Sequence, residues 1–333
     1  MTVDTAPQSH YQETKVSEIP IVILKSSATD DVAAHEAIEA LKVAGVCIVR
    51  NLLDRSTVDK VRQELQPYDK QADSFEGFPK NYCQVAGLLS KSPTYAHSIV
   101  GNKLFTAVRN YFLTSTYECW AEKGTWMSVK SPPQLDSTLA LYVNPGSGDQ
   151  GLHRDDATQQ NWNSGASEYS LGRDSGCAMM VALTECARED GTTRFIPGSH
   201  LWDYQYDHPS NDDPRIRYAE MRPGDAYLML SSVIHAGSVN YSTDRRRVLA
   251  AVFAARSHLR QVENQYLTYD IETVRTFPTW LQRFMGYSLS KLFQGWVDKK
   301  DPLLVVDPNA QPEGEDDGGM KPNEGEHVVE AQI

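Results

Sequence analysis

The chain has 333 residues, and its 44 acidic against 32 basic side chains give a formal charge of −12, which argues against nucleic acid or an anionic membrane as the main partner. With 40% hydrophobic and 23% charged residues it has an ordinary globular composition, enough for one large domain or two small ones. Its five cysteines (Cys47, Cys83, Cys119, Cys177 and Cys186) include no CxxC pair, so neither a disulfide framework nor a thiolate zinc site is indicated.

Residues 1–30 read as a polar N-terminal arm, relieved by an apolar run at 19–24 that suits a short strand. No basic region followed by an apolar stretch opens the chain. The closing residues Ala331-Gln-Ile333 form no peroxisomal address, and no run is long enough to cross a bilayer. The expectation is a soluble, cytoplasmic protein.

Apolar residues at helical spacing (Val32, Ala33, Ala37, Ile38, Leu41) predict a helix over 29–44, capped by Thr29 or Asp30 and stopped by Gly45. A strand follows at 46–49. Val58, Val61 and Leu65 predict a second helix over 54–65, and a third is expected over 93–111. After about residue 115 the pattern changes to short β-branched and aromatic runs between Pro and Gly: 126–129, 139–143, 177–183, 193–196, 226–230 and 248–253. Such spacing predicts an antiparallel sandwich or barrel. Helical spacing returns over 280–296, and the acidic, Pro- and Gly-rich tail 307–333 reads as disordered. With no linker between helices and strands, residues 31–306 read as one domain: a helical N-terminal layer, a β-core over about 115–260 and a C-terminal helical segment.

The chemistry is concentrated in Gln150-Gly-Leu-His153-Arg-Asp155-Asp-Ala-Thr158. Residues i and i+2 of a strand share a face, so His153 and Asp155 can aim an imidazole and a carboxylate at one point while Arg154 turns away. A remote second histidine would complete a facial triad with open positions, the arrangement used by non-haem Fe(II) oxygenases. Two candidates stand out. His200 ends the turn Pro197-Gly-Ser-His200, and His235 precedes Ala236-Gly237, where backbone can approach closely. His235 is favoured because Arg245-Arg-Arg247 follows at a useful distance. An Arg there can clamp the distal carboxylate of a keto acid through two parallel N–H bonds. Arg245 and Arg247 are expected to share a face, with Arg246 turned to solvent or an acidic neighbour. The competing reading is a Zn(II)- or Mn(II)-dependent hydrolase or isomerase on a cupin-like barrel, which needs no cation at that point.

With Leu183 to Thr193, Pro197-Gly-Ser-His200-Leu-Trp202, Pro223-Gly-Asp225 and His235-Ala-Gly237 in the same order, the chain resembles the phytanoyl-CoA dioxygenase family of Fe(II)/2-oxoglutarate enzymes. It is most similar to fungal members that tailor meroterpenoids and indole alkaloids. The resemblance implies a mainly β fold, a double-stranded β-helix (jelly-roll, cupin-like) core with surrounding helices. It implies Fe(II) on His153, Asp155 and His235, and 2-oxoglutarate on Arg247, Gln150 and Thr193, with Gln84 reaching the same co-substrate and O2 as the second co-substrate. His200 becomes structural. The implied activity is hydroxylation, desaturation, rearrangement or endoperoxidation of a bulky polycyclic natural product in secondary metabolism, by a homodimer. The segments 75–89 and 159–176, with Phe75, Phe78, Tyr82, Trp162 and Tyr169, are the expected lids.

Overall fold

The computed structural model describes residues 16, 18–24, 30–72 and 78–310. Most of the expected arm and tail, and Phe75 of the first expected lid, lie outside the described residues.

The described residues contain twelve strands: β1 (Ile21–Ile23), β2 (Val46–Arg50), β3 (Tyr82–Ala86), β4 (Ser115–Glu122), β5 (Thr125–Ser131), β6 (Gln134–Val143), β7 (Gly176–Ala182), β8 (Thr193–Phe195), β9 (Arg217–Tyr218), β10 (Ala226–Leu230), β11 (His235–Gly237) and β12 (Arg247–Ala255). Seven form a major sheet in the order β1-β2-β10-β7-β12-β6-β3. A minor sheet runs β11-β8-β9, and β4-β5 is a separate hairpin. All pairings are antiparallel except β1 with β2. Phe195 of the minor sheet meets Tyr227 of the major sheet with ring centroids 5.2 Å apart, so the two sheets face each other. Every residue of β7 and β10 is buried, which is why their sequences are unbroken apolar runs rather than alternating ones.

The helices Asp30–Ala44 and Arg55–Leu65 form where their spacing places them. Asp54 caps the second, its side chain accepting from Thr57 N at 2.8 Å. Val58, Val61 and Leu65 are its buried residues, each worth about 1.5–3 kcal/mol on leaving water. The third expected helix is broken. A π turn over Ala96–Val100 ends at Gly101, and Asn102 starts a new helix, Lys103–Leu113, by accepting from Phe105 N. A Cβ on Gly101 would sit 2.7 Å from His97 O and 3.0 Å from the Trp280 ring, so the break is also where Trp280 packs. The expected helical segment over 280–296 is likewise shorter. Only Thr279–Phe284 is helical, because Gly286 takes φ 107° and turns the chain away. The helices cover the outer side of the major sheet, with Lys103–Leu113 packed on both β7 and Asp30–Ala44. The inner side is left to a cavity. No helix among the described residues is long and apolar enough to cross a membrane.

Candidate metal centre and its cavity

His153, Asp155 and His235 converge: one ligand atom from each lies within 4.8 Å of the others. Asp155 Oδ1 is 3.5 Å from His153 Nε2 and 3.6 Å from His235 Nε2. His235 opens β11. His153 is joined to it by an isolated antiparallel bridge rather than by a continuing strand, and the chain then turns at once into the 3-10 helix Asp155–Gln159. The i, i+2 reading therefore holds for direction, while its cause is a single bridge followed by a helical turn.

Both imidazoles are oriented from behind. His153 Nδ1 lies 2.9 Å from Gly151 O, and His235 Nδ1 lies 3.1 Å from Val233 O. A carbonyl only accepts, so each Nδ1 carries the hydrogen and each Nε2 lone pair faces Asp155. Burial alone would raise the Asp155 carboxyl, but His235 and His153 hold it below the usual carboxylate range. Burial lowers the His235 imidazole, which keeps it neutral and able to ligate. Burial works against a charged His153 too, but the Asp155 carboxylate raises that imidazole, so metal binding there would displace a proton. Two imidazoles and a carboxylate suit a divalent transition metal.

The residue after Asp155 points the other way. Asp156 is fully buried and accepts from Tyr204 OH at 2.5 Å and from Asn161 Nδ2 at 2.8 Å. Arg154 turns away as expected: its Nε donates to Ser232 O, and its guanidinium lies 4.1 Å from the Tyr204 ring centroid. His200, the rejected candidate, is buried and hydrogen-bonded to Lys42 O at 3.1 Å.

The triad opens into a cavity of about 700 Å³ between the two sheets. Gln84, Gln150 and Thr193 all line it. Gln150 and Gly237 are joined twice: Gly237 N donates to Gln150 Oε1 at 3.0 Å, and Gln150 N donates to Gly237 O at 3.1 Å. A Cβ on Gly237 would meet the Tyr82 ring at 3.0 Å, so any larger residue there would press on that ring. The loop carrying Gln150 is anchored by buried Arg194, which donates to Asp149 Oδ1 and, at 2.6 Å, to Gln150 O.

Arg247 does not itself line the cavity. It stands at the start of β12, on the face that Phe253 presents to the cavity six residues on, and its guanidinium carbon is 6.0 Å from the Tyr82 ring centroid. It is 0% exposed, and Nε and both terminal nitrogens have no hydrogen-bond partner among the described residues. A buried cation without a partner is costly unless an anion completes it. The expected pairing of Arg245 with Arg247 on one face does not occur: Arg245 precedes the strand and donates to Asp190 Oδ1 at 2.6 Å. Arg246 takes the expected acidic neighbour, Asp69, at 2.5 Å.

The cavity walls differ from the expected lids. Phe78 and Tyr82 line it, but Trp162 is 67% exposed and Tyr169 packs on Phe112 and His200. In their place stand Leu139 and Leu141 of β6, Met180 of β7, Phe253 of β12, and Val262 and Thr268 from the segment after it. Of these, Phe253 shares the Arg247 face by alternation along β12, whereas Leu139, Leu141 and Met180 reach the cavity through the register of neighbouring strands. The segment after β12 carried no local signal.

Comparison with known proteins agrees with this picture. The family model described as phytanoyl-CoA dioxygenase (PhyH) matches residues 41–248. The dioxygenase peniF of Penicillium patulum is 36% identical over 265 residues, covering 79% of this chain and 85% of the relative. The dioxygenase himG of Aspergillus japonicus is 34% identical over 296 residues, covering 85% and 90%. Among solved structures, the non-heme alpha ketoglutarate dependent carbocyclase SnoK from nogalamycin biosynthesis superposes with a TM-score of 0.51 at 17% identity, over 70% of this chain and 88% of SnoK. That last likeness is one of fold: a jelly-roll core with helices around it.

Proposed function

This chain belongs to the phytanoyl-CoA dioxygenase family, and from that premise we propose that His153, Asp155 and His235 hold Fe(II) while Arg247, with Gln150, Thr193 and Gln84, holds 2-oxoglutarate. The observation that carries the reading is the pairing of a convergent two-His, one-carboxylate set with a fully buried guanidinium that has no hydrogen-bond partner among the described residues. A hydrolase would have no use for that cation; a dicarboxylate co-substrate fills it with two parallel hydrogen bonds. Bound Fe(II) and 2-oxoglutarate supply oxidation by O2 coupled to decarboxylation of the keto acid.

The residues of the chain do the rest. The Nδ1 bonds to Gly151 and Val233 fix the imidazoles, and the Tyr204–Asp156 bond fixes the turn that carries Asp155. Tyr82 lines the cavity with its ring centroid 6.0 Å from the guanidinium carbon of buried Arg247, so this reading has that ring give way to the co-substrate. The apolar wall of Phe78, Leu139, Leu141, Met180 and Phe253 suits a bulky polycyclic substrate and keeps water from the reacting carbon. Among the outcomes open to such an enzyme are hydroxylation, desaturation, rearrangement and endoperoxidation. We further read residues 31–306 as one dioxygenase domain and the protein as a homodimer; sedimentation velocity tests the latter.

The test of the co-substrate site is spectroscopic. Adding 2-oxoglutarate to the anaerobic Fe(II) protein is expected to give a weak visible charge-transfer band and, in air, succinate. An Fe(II)-loaded protein that gives neither overturns the reading.

A further inference from the structure

Strand β6 contains an irregularity that bears on the substrate. Facing β12, Ser137 pairs with Phe253 and Leu135 pairs with Ala254, so Asp136 is an extra residue with no partner across the ladder. Strict alternation would send Asp136 to the same side as Thr138 and Ala140, away from Ser137, Leu139 and Leu141. The bulge re-aims it, and Asp136 lines the cavity beside Ser137 while remaining only 6% exposed. One carboxylate oxygen accepts from Val262 N at 2.9 Å.

A charge count shows what this carboxylate lacks. In the loaded site, a divalent iron and a dianionic keto acid cancel each other, and Arg247 balances Asp155. Glu263, also in the wall, accepts from Gly87 N, from Thr138 N and Oγ1 and from Gln265 Nε2, and is answered electrostatically by Lys91. The Lys91 ammonium donates to Ala86 O at 2.8 Å and Gly87 O at 3.1 Å. Asp136 is left over. The charged groups that act on it, Asp155 and Glu263, are both negative. Burial pushes its carboxyl up to about 6, so it is still ionised in neutral or mildly alkaline buffer. A buried carboxylate in a ligand cavity without a countercharge is costly until the ligand brings one.

We propose that Asp136 is a specificity-determining residue that receives a protonated amine of the polycyclic substrate, in the cavity that also holds the metal triad. A neutral hydroxyl would donate a hydrogen bond but leave the charge standing; an ammonium supplies both. This rests on the dioxygenase reading above and narrows the substrate class to basic, nitrogen-bearing polycycles.

A matched pair of probes tests it. Tetrahydro-β-carboline carries a protonated ring amine, and tetrahydrocarbazole is its neutral carbocyclic counterpart. Both are titrated calorimetrically into the anaerobic Fe(II)–2-oxoglutarate protein at mildly alkaline pH. The wild type is expected to prefer the amine by about tenfold or more, a preference that Asp136→Asn and Asp136→Ser abolish and Asp136→Glu partly restores. The charge-transfer band of the same samples reports the metal and co-substrate independently. A normal band with equal affinities for the two probes, no binding of the amine, or an undiminished preference in Asp136→Asn overturns the proposal while leaving the dioxygenase reading intact. Loss of the band in the wild type would instead count against that reading.

Discussion

His153 and His235 are tied to each other through their backbones: His153 N donates to His235 O at 3.0 Å and His235 N donates to His153 O at 2.9 Å. Two ligands far apart in the chain are thus a reciprocal hydrogen-bonded pair, with ring centroids 4.5 Å apart. This backbone pairing and the Nδ1 bonds to Gly151 O and Val233 O together set the separation of their Nε2 atoms, so the site is organised before any metal arrives.

A pre-formed site predicts that metal stabilises the fold by mass action. At a hundredfold excess over its dissociation constant, Fe(II) or Ni(II) should add about 2.7 kcal/mol. In Asp155→Ala the two imidazoles remain but the carboxylate between them is gone, and the metal-induced rise in melting temperature should vanish. An unchanged rise in that variant would show that the ion binds elsewhere.

Arg247 should separate stability from function. Replacing even a buried ion pair with apolar side chains of similar volume is often neutral or stabilising by about 1–4 kcal/mol, and an unpaired cation has no Coulombic attraction to lose. Arg247→Met is therefore expected to keep or raise the urea midpoint of the metal-free protein while losing 2-oxoglutarate binding. Arg247→Lys keeps the charge without the fork and should bind the keto acid about tenfold more weakly or worse. Strong destabilisation of Arg247→Met would mean the guanidinium has a structural task.

Tyr204 supports Asp155 through its neighbour. Tyr204→Phe removes the 2.5 Å bond to the buried Asp156 carboxylate, which then keeps only Asn161. The expected costs are about 1–3 kcal/mol in unfolding free energy and roughly a tenfold fall in metal affinity, read from chemical denaturation and metal titration. A stability loss with metal affinity intact would confine Tyr204 to the fold.

His200 gives the protein an acid-sensitive spot outside the triad. Burial holds its imidazole down to about 4, against an ordinary value of 6.5. Between those values the unfolded chain binds the proton and the folded one does not, so this residue's contribution is intact above about pH 6.5 and is lost as pH falls towards 4. The stability difference between wild type and His200→Gln should shrink across that window by up to about 1.4 kcal/mol per pH unit. A difference that stays flat from pH 7 to 4 would show that His200 is not held neutral.

Much of the fold was legible because its signals are local. The Asp54 cap and the Val58, Val61, Leu65 stripe specify a helix without help from the rest of the chain, and the all-apolar runs of β7 and β10 announce strands buried on both faces. At 93–111 and 280–296 the helices are shorter than their apolar spacing. Apolar spacing there continues past Gly101 and Gly286, where the backbone in fact breaks to let Trp280 pack and the chain turn.

The sequence by itself determined the ligand types and their order: a His and an Asp two residues apart, a second His before Ala-Gly, and an Arg at the next strand. These are chemical requirements, and residue identity carries them. Only the tertiary structure decided which surfaces meet. It put Met180 and Val262 into the cavity in place of Trp162, left Arg247 without a hydrogen-bond partner among the described residues, and turned Asp136 inward at a bulge that its alternating neighbours conceal. Such outcomes depend on register and on contacts between segments more than a hundred residues apart, and local sequence spacing has no means of encoding them.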